Sequence, residues 1–293
     1  PTRWRATLRG RRTASMSGDA YRYDTSGHPL LDQQLMIDRP VQKPAVVLLT
    51  SQLGVGGAER HTVSLANLLG RRFAVILAHL KAEASIACSV DRTSVLDVRH
   101  LHAASGFDLS ASRNLVRLCD EFEARVVVCA NPYALIHAQI ARLLSRNAIV
   151  VIQVFHTTKL RTLKDSLMHV LYRPFFWMCH QLIFVCETQR RYWKQRALWA
   201  RRTQVIYNGV DTAHFNPSDF RDSGVAVRDD LGFTRGDRVV GMCGVMRPEK
   251  AHANLLTAVA RCRAEGRRWK VLIIGDGPMR DQIEALILQQ DLT

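Results

Sequence analysis

From Ala45 onward, short runs of β-branched and aliphatic residues alternate with segments long enough to form helices. The predicted strands are Ala45–Thr50, Phe73–Leu80, Arg125–Ala130, Ala148–Phe155, Gln181–Cys186 and Thr203–Tyr207. The helical segments between them are Ala58–Leu69, Ser110–Glu123, Tyr133–Leu144, Leu163–Met178 and Thr188–Leu198. The strands are nearly continuous in Val, Ile and Leu, as strands buried on both faces of a parallel sheet are. The alternation therefore predicts a doubly wound α/β domain.

A second α/β series follows a stretch rich in glycine and acidic residues. Its predicted strands are Arg238–Cys243 and Lys270–Ile274, and its predicted helices are Ala253–Glu265 and Met279–Gln290. We therefore predict an N-terminal Rossmann-like domain over 41–211, a connection over 212–237 and a partial C-terminal Rossmann-like domain over 238–293. The last unit has only about 55 residues, fewer than independent domains usually need, so we expect the natural protein to continue past Thr293.

The first 40 residues read as a disordered basic leader. This stretch has many arginines, little apolar periodicity and only four acids. The chain begins with Pro1, and Met36 lies just before the first strand. Residues 1–35 are therefore interpreted as sequence upstream of the native start, with an organelle transit peptide as the alternative.

Charge and composition limit the partners and the cellular location that the protein can have. The net charge of +15 suits anionic substrates or a membrane surface. Nucleic acid is not expected, because no basic face is interleaved with aromatic residues. No window has the roughly 18 apolar residues of a membrane helix. The seven cysteines are odd in number and lack a C-x-x-C pair, which indicates reduced thiols in the cytosol and no zinc site. We predict a cytoplasmic protein, with peripheral contact to the inner face of a membrane as an open alternative.

A glycine turn, Leu53–Glu59, lies between the first strand and the first helix. Glycine lets another group approach the backbone, and a helix N-terminus favours anions, so the turn suits a phosphate or a sugar. It is not the dinucleotide fingerprint, because Glu59 stands where the third glycine is required. A tight turn without a binding role is the alternative.

His156 directly follows the apolar run Val150–Phe155. It should therefore lie at the carboxyl end of a strand, facing the same cleft as the glycine turn. A histidine there can donate a hydrogen bond to a sugar hydroxyl or stabilise developing charge. A structural histidine is the alternative.

The second unit carries a matching pair of loops. Arg247 and Lys250 flank the predicted start of a helix, which makes an anion site fit for a diphosphate, although both can also be solvated surface residues. Gly275 and Gly277 follow the next strand and allow a second close approach to the backbone. A cleft between two such domains would hold a nucleotide-linked substrate.

Together these segments resemble glycosyltransferase family 4. The resemblance rests on the order and spacing of Gly56–Glu59, Val205–Asp211, Phe215–Pro217, Arg247–Lys250 and Ile273–Pro278. It implies a GT-B fold with two Rossmann-like domains and retaining transfer of a sugar from a UDP- or GDP-linked donor. The implied setting is polysaccharide or glycolipid synthesis, with a glycan or lipid-linked acceptor.

The resemblance also assigns roles on the donor side. Arg247 and Lys250 would bind the donor diphosphate and act in catalysis, and His156 would sit beside the transferred sugar. Gly275 and Gly277 would lie near the nucleoside. No metal or other cofactor is expected, since no Asp-x-Asp stands out and the implied diphosphate site is made of cations and helix ends.

On the acceptor side, Gly56 and Gly57 would lie near both the phosphates and the acceptor. Glu59 and Asn131 are placed on the acceptor side. The implied hinge residues are Asn208, Gly209 and Asp211.

Two features depart from the family pattern. Val245 stands where many members have arginine, which leaves the contact of Arg247 open. The family's paired glutamates would fall beyond Thr293, so we expect the chain as given to bind donor weakly and to turn over little.

Other functions fit parts of the pattern. A sugar-nucleotide epimerase of the same fold and a non-catalytic nucleotide-binding fragment are the alternatives, and a nicotinamide oxidoreductase is disfavoured because neither glycine turn completes its fingerprint. The apolar stretch Leu163–Met178 is interpreted as core packing, with a membrane-surface role as the alternative.

Overall fold

The structure is a computed structural model that describes residues 43–104, 107–156, 163–267 and 269–292, without the side chains of 163–166. The predicted basic leader, 1–40, lies outside the described residues. The chain divides into two compact units between Asn208 and Gly209. This division lies within the segment predicted as a hinge, three residues before the predicted end of the first domain.

The first unit is built on a seven-stranded sheet with the order β3-β2-β1-β4-β5-β6-β7. All neighbouring strands are parallel. The strands are β1 Ala45–Thr50, β2 Ala74–His79, β3 Val95–His100, β4 Val126–Cys129, β5 Val150–Phe155, β6 Gln181–Phe184 and β7 Thr203–Val205. The helices are α1 Gly57–Leu69, α2 Leu109–Glu121, α3 Pro132–Leu144, α4 Leu163–Trp177 and α5 Glu187–Lys194. The predicted α/β class is confirmed.

The sequence analysis did not predict strand β3, and the structure corrects this omission. It lies at the edge of the sheet and reads Val-Leu-Asp-Val-Arg-His, without the continuous apolar run of the inner strands. Only Val95 in it is buried. An edge strand pairs on one side only and needs less apolar sequence, so the criterion that found the inner strands missed it.

The sheet reverses its order between β1 and β4. Their register aligns Leu49 with Cys129, and the strands on either side run outwards in opposite directions along the sheet. Such a reversal opens a crevice at the carboxyl ends of the two central strands, where open α/β sheets bind ligands.

Phe155 is the centre of an aromatic cluster between the sheet and helices α4 and α5. Its ring meets those of Phe176, Phe184 and Trp193 edge to face, at centroid distances of 5.4, 6.2 and 5.3 Å. His169 stacks on Trp193 at 4.2 Å and is 5% exposed. The inner face of α4 therefore packs in the core, as predicted, while its outer face is exposed. No helix in the described part of the chain has the length and hydrophobicity to cross a membrane.

The second unit contains a two-stranded parallel sheet, β8 Arg238–Cys243 and β9 Trp269–Ile274. Helices α7 His252–Ala264 and α8 Arg280–Gln289 contribute Leu256 and Ile283 to its small core, together with Met246. Helix α6, Arg221–Asp230, falls inside the predicted connection 212–237. The segment was predicted only as a connection between domains, and no helix was predicted in it. None of the α6 residues is buried. The helix therefore has no apolar periodicity from which it could be predicted.

Burial of His169 makes the first unit sensitive to acid. Burial, with a smaller contribution from the charge of Arg173, lowers the pKa of His169 from 6.5 to about 4. The unfolded chain therefore takes up a proton at this residue at a higher pH than the folded chain does. The contribution of neutral His169 to the free energy of unfolding is complete above about pH 6.5 and is lost as the pH falls towards 4. The loss amounts to at most about 3 kcal/mol.

We expect His169→Phe to flatten the pH dependence of unfolding free energy between pH 6.5 and 4, because phenylalanine keeps the ring stack and binds no proton. Urea unfolding at several pH values measures this. His214→Asn, on an exposed turn, is the control and should keep the parent slope. An unchanged slope in His169→Phe would contradict the prediction.

Candidate functional site

The glycine turn after β1 leads directly into α1. Gly56 is the N-cap residue of the helix, and no side chain caps it. A Cβ atom on Gly56 would collide with the Glu59 carboxylate, whereas a Cβ on Gly57 would meet nothing within 4 Å. This contact does not by itself require the glycine at 56, because the carboxylate is the far end of a flexible side chain that can move aside. The fold itself does not require the glycine at 57, and the space beside it is open to a ligand.

A second carboxylate lies along the same turn. The Glu83 side chain packs against Gly54, so that a Cβ there would collide with it. The Leu53 N–H donates to the Glu83 carbonyl at 2.9 Å, which ties the turn to the segment after β2. Carboxylates accept hydrogen bonds from hydroxyl groups and repel phosphates. The turn is therefore better matched to a hydroxyl-rich sugar than to an anion. Glu83 could not be predicted from the sequence, since its contact with Gly54 spans about 30 residues of chain.

Asn131 joins the ends of β1 and β4. Its Oδ1 accepts from the Ala134 N–H at 3.0 Å and caps α3, while its Nδ2 donates to Ser51 Oγ at 3.0 Å and to Thr50 Oγ1 at 3.3 Å. These bonds give Asn131 a structural role at the crevice. Its predicted acceptor contact stays a prediction.

His156 lies at the carboxyl end of β5 and contacts a second histidine, His61, on α1. The two rings meet edge to face with centroids 5.0 Å apart. Both line a small pocket of about 10 Å³, which is room for about one water molecule. Nε2 of His156 is buried and lacks a hydrogen-bond partner among the described residues. His61 was not found from the sequence, although its place on the first turns of α1 puts it near the same sheet edge.

Both histidines are held in the neutral form. Burial, and secondly the charge of His61, lowers the pKa of His156 from 6.5 to about 4, and burial lowers the pKa of His61. A neutral imidazole has one N–H donor and one acceptor nitrogen. At neutral pH His156 can therefore hydrogen-bond a hydroxyl group but does not supply positive charge.

In the second unit, the loops after β8 and β9 run side by side. The Gly244 N–H donates to the Ile274 carbonyl and the Met246 N–H donates to the Asp276 carbonyl, both at 2.9 Å. A Cβ on Gly277, whose φ is +153°, would lie 2.6 Å from the Met246 carbonyl oxygen. A Cβ on Gly275 would collide with the Gly244 backbone in the same way. These glycines therefore serve the approach of the two loops to each other.

Arg247 and Lys250 bracket a short 3₁₀ helix, Pro248–Lys250, in the first of these loops. Both side chains are exposed and neither forms an ion pair with a described residue. The Lys250 side chain lies beside Gly244. Helix α7 begins just after, and no side chain caps its first N–H groups. Two unneutralised cations beside an uncapped helix N-terminus form an arrangement suited to a phosphate-bearing ligand.

The predicted hinge residues lie at the division between the units. Asn208, Gly209 and Asp211 are exposed, and Asp211 Oδ1 accepts from the N–H groups of Ala213 and His214 at 3.0 and 3.1 Å. Their role as a hinge stays a prediction. Within the residues that the structure describes, no group of three or more histidine, cysteine or acidic side chains is arranged to hold a metal ion.

With this geometry in place, the family can be assigned. The family model for glycosyltransferase family 4 matches residues 55–214, more than half of the chain. The chain belongs to glycosyltransferase family 4. A second model, for glycosyl transferases group 1, matches residues 226–293 of this family 4 chain. No curated protein matches it in sequence.

Solved structures share the fold. HepE from Anabaena, in complex with UDP, matches with a TM-score of 0.67 at 19% identity, over 85% of this chain and 66% of HepE. A glycosyltransferase from Rickettsia africae matches with a TM-score of 0.67 at 15% identity, over 85% and 66% of the two chains. Sucrose-phosphate synthase from Thermosynechococcus elongatus matches with a TM-score of 0.65 at 13% identity, over 85% and 68%. The family 4 chain thus has the GT-B fold and spans 66% of the length of HepE.

We expect Gly277→Ala to weaken the second unit, because the new methyl group would collide with the Met246 backbone and force the two loops apart. The loss should be about 1–3 kcal/mol. Amide hydrogen exchange of β8 and β9 measures it locally. Gly241→Ala is the matched control, since a Cβ there meets nothing within 4 Å. Equal protection in both variants would contradict the prediction.

We expect His61→Phe to raise the pKa of His156, because the variant removes a neighbouring charge and keeps the space filled. Most of the lowering should remain, since burial is its larger cause. An NMR titration of the His156 ring measures this. His79→Phe is the control, because His79 stacks on His100 and not on His156. A His156 pKa that stays the same or falls in His61→Phe would contradict the prediction.

Proposed function

We propose that the protein transfers a hexose from a UDP- or GDP-linked donor to an acceptor hydroxyl with retention, in the synthesis of a polysaccharide or glycolipid. The observation that carries this proposal is the pair Arg247 and Lys250 in the loop after β8, both exposed and neither in an ion pair with a described residue. A nucleoside diphosphate brings negative charge that Arg247 and Lys250 can pair with. HepE, which shares the fold, was solved with UDP.

In this reaction the bond between the anomeric carbon and the diphosphate oxygen breaks, and a bond to the acceptor oxygen forms. Negative charge builds up on the departing diphosphate. Arg247 and Lys250 stabilise that charge without having to reorganise, which is the electrostatic form of catalysis. The proton of the acceptor hydroxyl passes to the departing oxygen, which retention places on the same face of the sugar. No protein nucleophile is needed.

His156 has a different role in the proposal. Its low pKa keeps it neutral, so it orients the transferred sugar through a hydrogen bond and leaves charge stabilisation to the two cations. Its Nε2, which is buried and has no hydrogen-bond partner among the described residues, is the atom proposed to make that bond when the bound sugar reaches it. The donor glycines at 275 and 277 keep the neighbouring loop close, so that the nucleoside lies against backbone.

The acceptor is proposed to bind beside the glycine turn. Glu59 and Glu83 line the turn with carboxylates, which accept hydrogen bonds from sugar hydroxyls. The acceptor is therefore a glycan or a lipid-linked glycan. We propose that the reaction needs no metal, because Arg247 and Lys250 supply the positive charge.

The proposed location is the cytoplasm, where nucleotide sugars are substrates, with peripheral contact to the inner face of a membrane. A lipid-linked acceptor would require such contact. No nucleic-acid partner is proposed.

Two alternatives share the same site. A sugar-nucleotide epimerase would consume the UDP-sugar without an acceptor, and product analysis with and without acceptor separates it from a transferase. A non-catalytic nucleotide-binding protein would bind UDP tightly and form no product. Both retain the diphosphate contact.

In the full-length protein, we expect Lys250→Ala to lower turnover by about 10–100-fold, because one charge-assisted contact to the diphosphate is lost. Calorimetry should show weaker UDP binding and an unchanged affinity for uridine, which has no phosphate. Lys250→Arg keeps the charge and should recover part of the loss. Lys270→Ala, an exposed lysine on β9, is the control. Parent UDP affinity and rate in Lys250→Ala would refute the diphosphate assignment.

A further inference from the structure

The outer face of α4 exposes a row of large apolar side chains. Leu167, Leu171 and Trp177 are 62%, 56% and 41% exposed, and Val170 is also exposed. Their spacing places them on one side of the helix, opposite the buried His169 and Phe176 that pack in the core. The helix is therefore apolar on both sides, and only one of them is covered in the described structure.

A second tryptophan extends this row. Trp199 lies in the segment before β7 and stacks on Trp177, with ring centroids 5.7 Å apart and planes 18° from parallel. It is 52% exposed. Two half-exposed indoles in contact are costly in water but suited to the boundary between lipid and water, where tryptophan is enriched.

The chain around the tryptophans is strongly basic. Residues 163–208 contain eight lysines and arginines and two acids. One of the acids, Glu187, is already paired with Arg190 and Arg191. Arg201 and Arg202 are exposed, lie within three residues of Trp199, and form no ion pair with a described residue. Exposed apolar side chains, with unneutralised cations close to one of them in the sequence, match an anionic lipid surface.

We propose that this surface docks the protein on an anionic phospholipid bilayer. We call it the indole surface, and it consists of Leu167, Val170, Leu171, Trp177, Trp199, Arg201 and Arg202. The inference rests on the proposed function and deepens it, since it names the partner that would deliver a lipid-linked acceptor. Most of the indole surface lies on α4, the first helix after His156 in the sequence.

Two other occupants fit the observations less well. A second copy of the chain would bring two clusters of unneutralised arginines together, which costs energy. Single-stranded nucleic acid would stack on the tryptophans, but the aliphatic row Leu167, Val170 and Leu171 offers bases no stacking partner. Only a bilayer uses the aliphatic residues, the indoles and the cations together.

Vesicle co-sedimentation tests the proposal. We expect the chain to bind vesicles of phosphatidylcholine mixed with phosphatidylglycerol, not phosphatidylcholine alone, and to dissociate as salt screens the charges. Trp177→Ala and Trp199→Ala should each weaken binding about tenfold, because each removes one indole from the lipid boundary. Arg201→Ser with Arg202→Ser should weaken it about 30-fold.

Matched controls separate this surface from general charge and hydrophobicity. Arg71→Ser with Arg72→Ser removes two consecutive exposed arginines elsewhere, and Leu288→Ala removes an apolar side chain that is 70% exposed on α8. Both should keep the parent affinity for vesicles. The arginine variant of the indole surface alters no core contact, so it stays informative if a tryptophan variant fails to fold.

Several results would overturn the proposal. These are no binding to anionic vesicles, equal loss in the control variants, a dimer by light scattering that the tryptophan variants dissolve, or tighter binding to an RNA oligonucleotide that the same variants abolish. Vesicle binding requires neither donor nor turnover. If the transferase assay fails with the full-length protein while vesicles bind, the proposed function falls and the docking surface stands. If transfer occurs without vesicle binding, the docking surface falls alone.

Discussion

The pairing of β1 with β4 sets the geometry of the first unit. Every strand of the sheet is parallel, so each connection must cross back over a face and all carboxyl ends meet at one edge. The order reverses at this pair, and the helices after β1 and β4 leave on either side of a crevice. Asn131 closes the pair by bonding to the end of β1 while it caps α3. The glycine turn and His156 lie at this edge because the backbone allows no other place for them.

Charge distinguishes the two loop edges. In the first unit the turn is lined by Glu59 and Glu83, and His156 is kept neutral by burial. In the second unit Arg247 and Lys250 stand exposed without partners among the described residues. A phosphate is favoured by the second arrangement and disfavoured by the first. This contrast, more than the glycine motifs, supports giving the donor diphosphate to the second unit and the hydroxyl-rich acceptor to the first.

The sequence predicted what depends on short-range pattern. Buried parallel strands can be recognised by their continuous apolar runs. Strands β1 and β8 were predicted with their observed ends. Strand β3 and helix α6 were missed because an exposed element has no apolar period to detect. Glu83 and His61 were missed for another reason. Each acts through a contact between segments that only the folded sheet brings together.

Helix α4 shows where sequence pattern reaches its limit. Core packing and a membrane surface were competing interpretations of its apolar stretch, and the structure shows that one helix has room for both. Phe176 and His169 fill the aromatic cluster around Phe155, while Leu167, Leu171 and Trp177 face outward. Composition could not separate the two faces, because both are apolar and the usual polar side that orients a surface helix is missing. The stack of Trp199 on Trp177 is the observation that favours the docking proposal for the outer face, since Trp199 adds a second indole and lies within three residues of Arg201 and Arg202 in the sequence. If the outer face of α4 were instead buried against another protein, unpaired arginines close to it would have to be desolvated, which costs free energy.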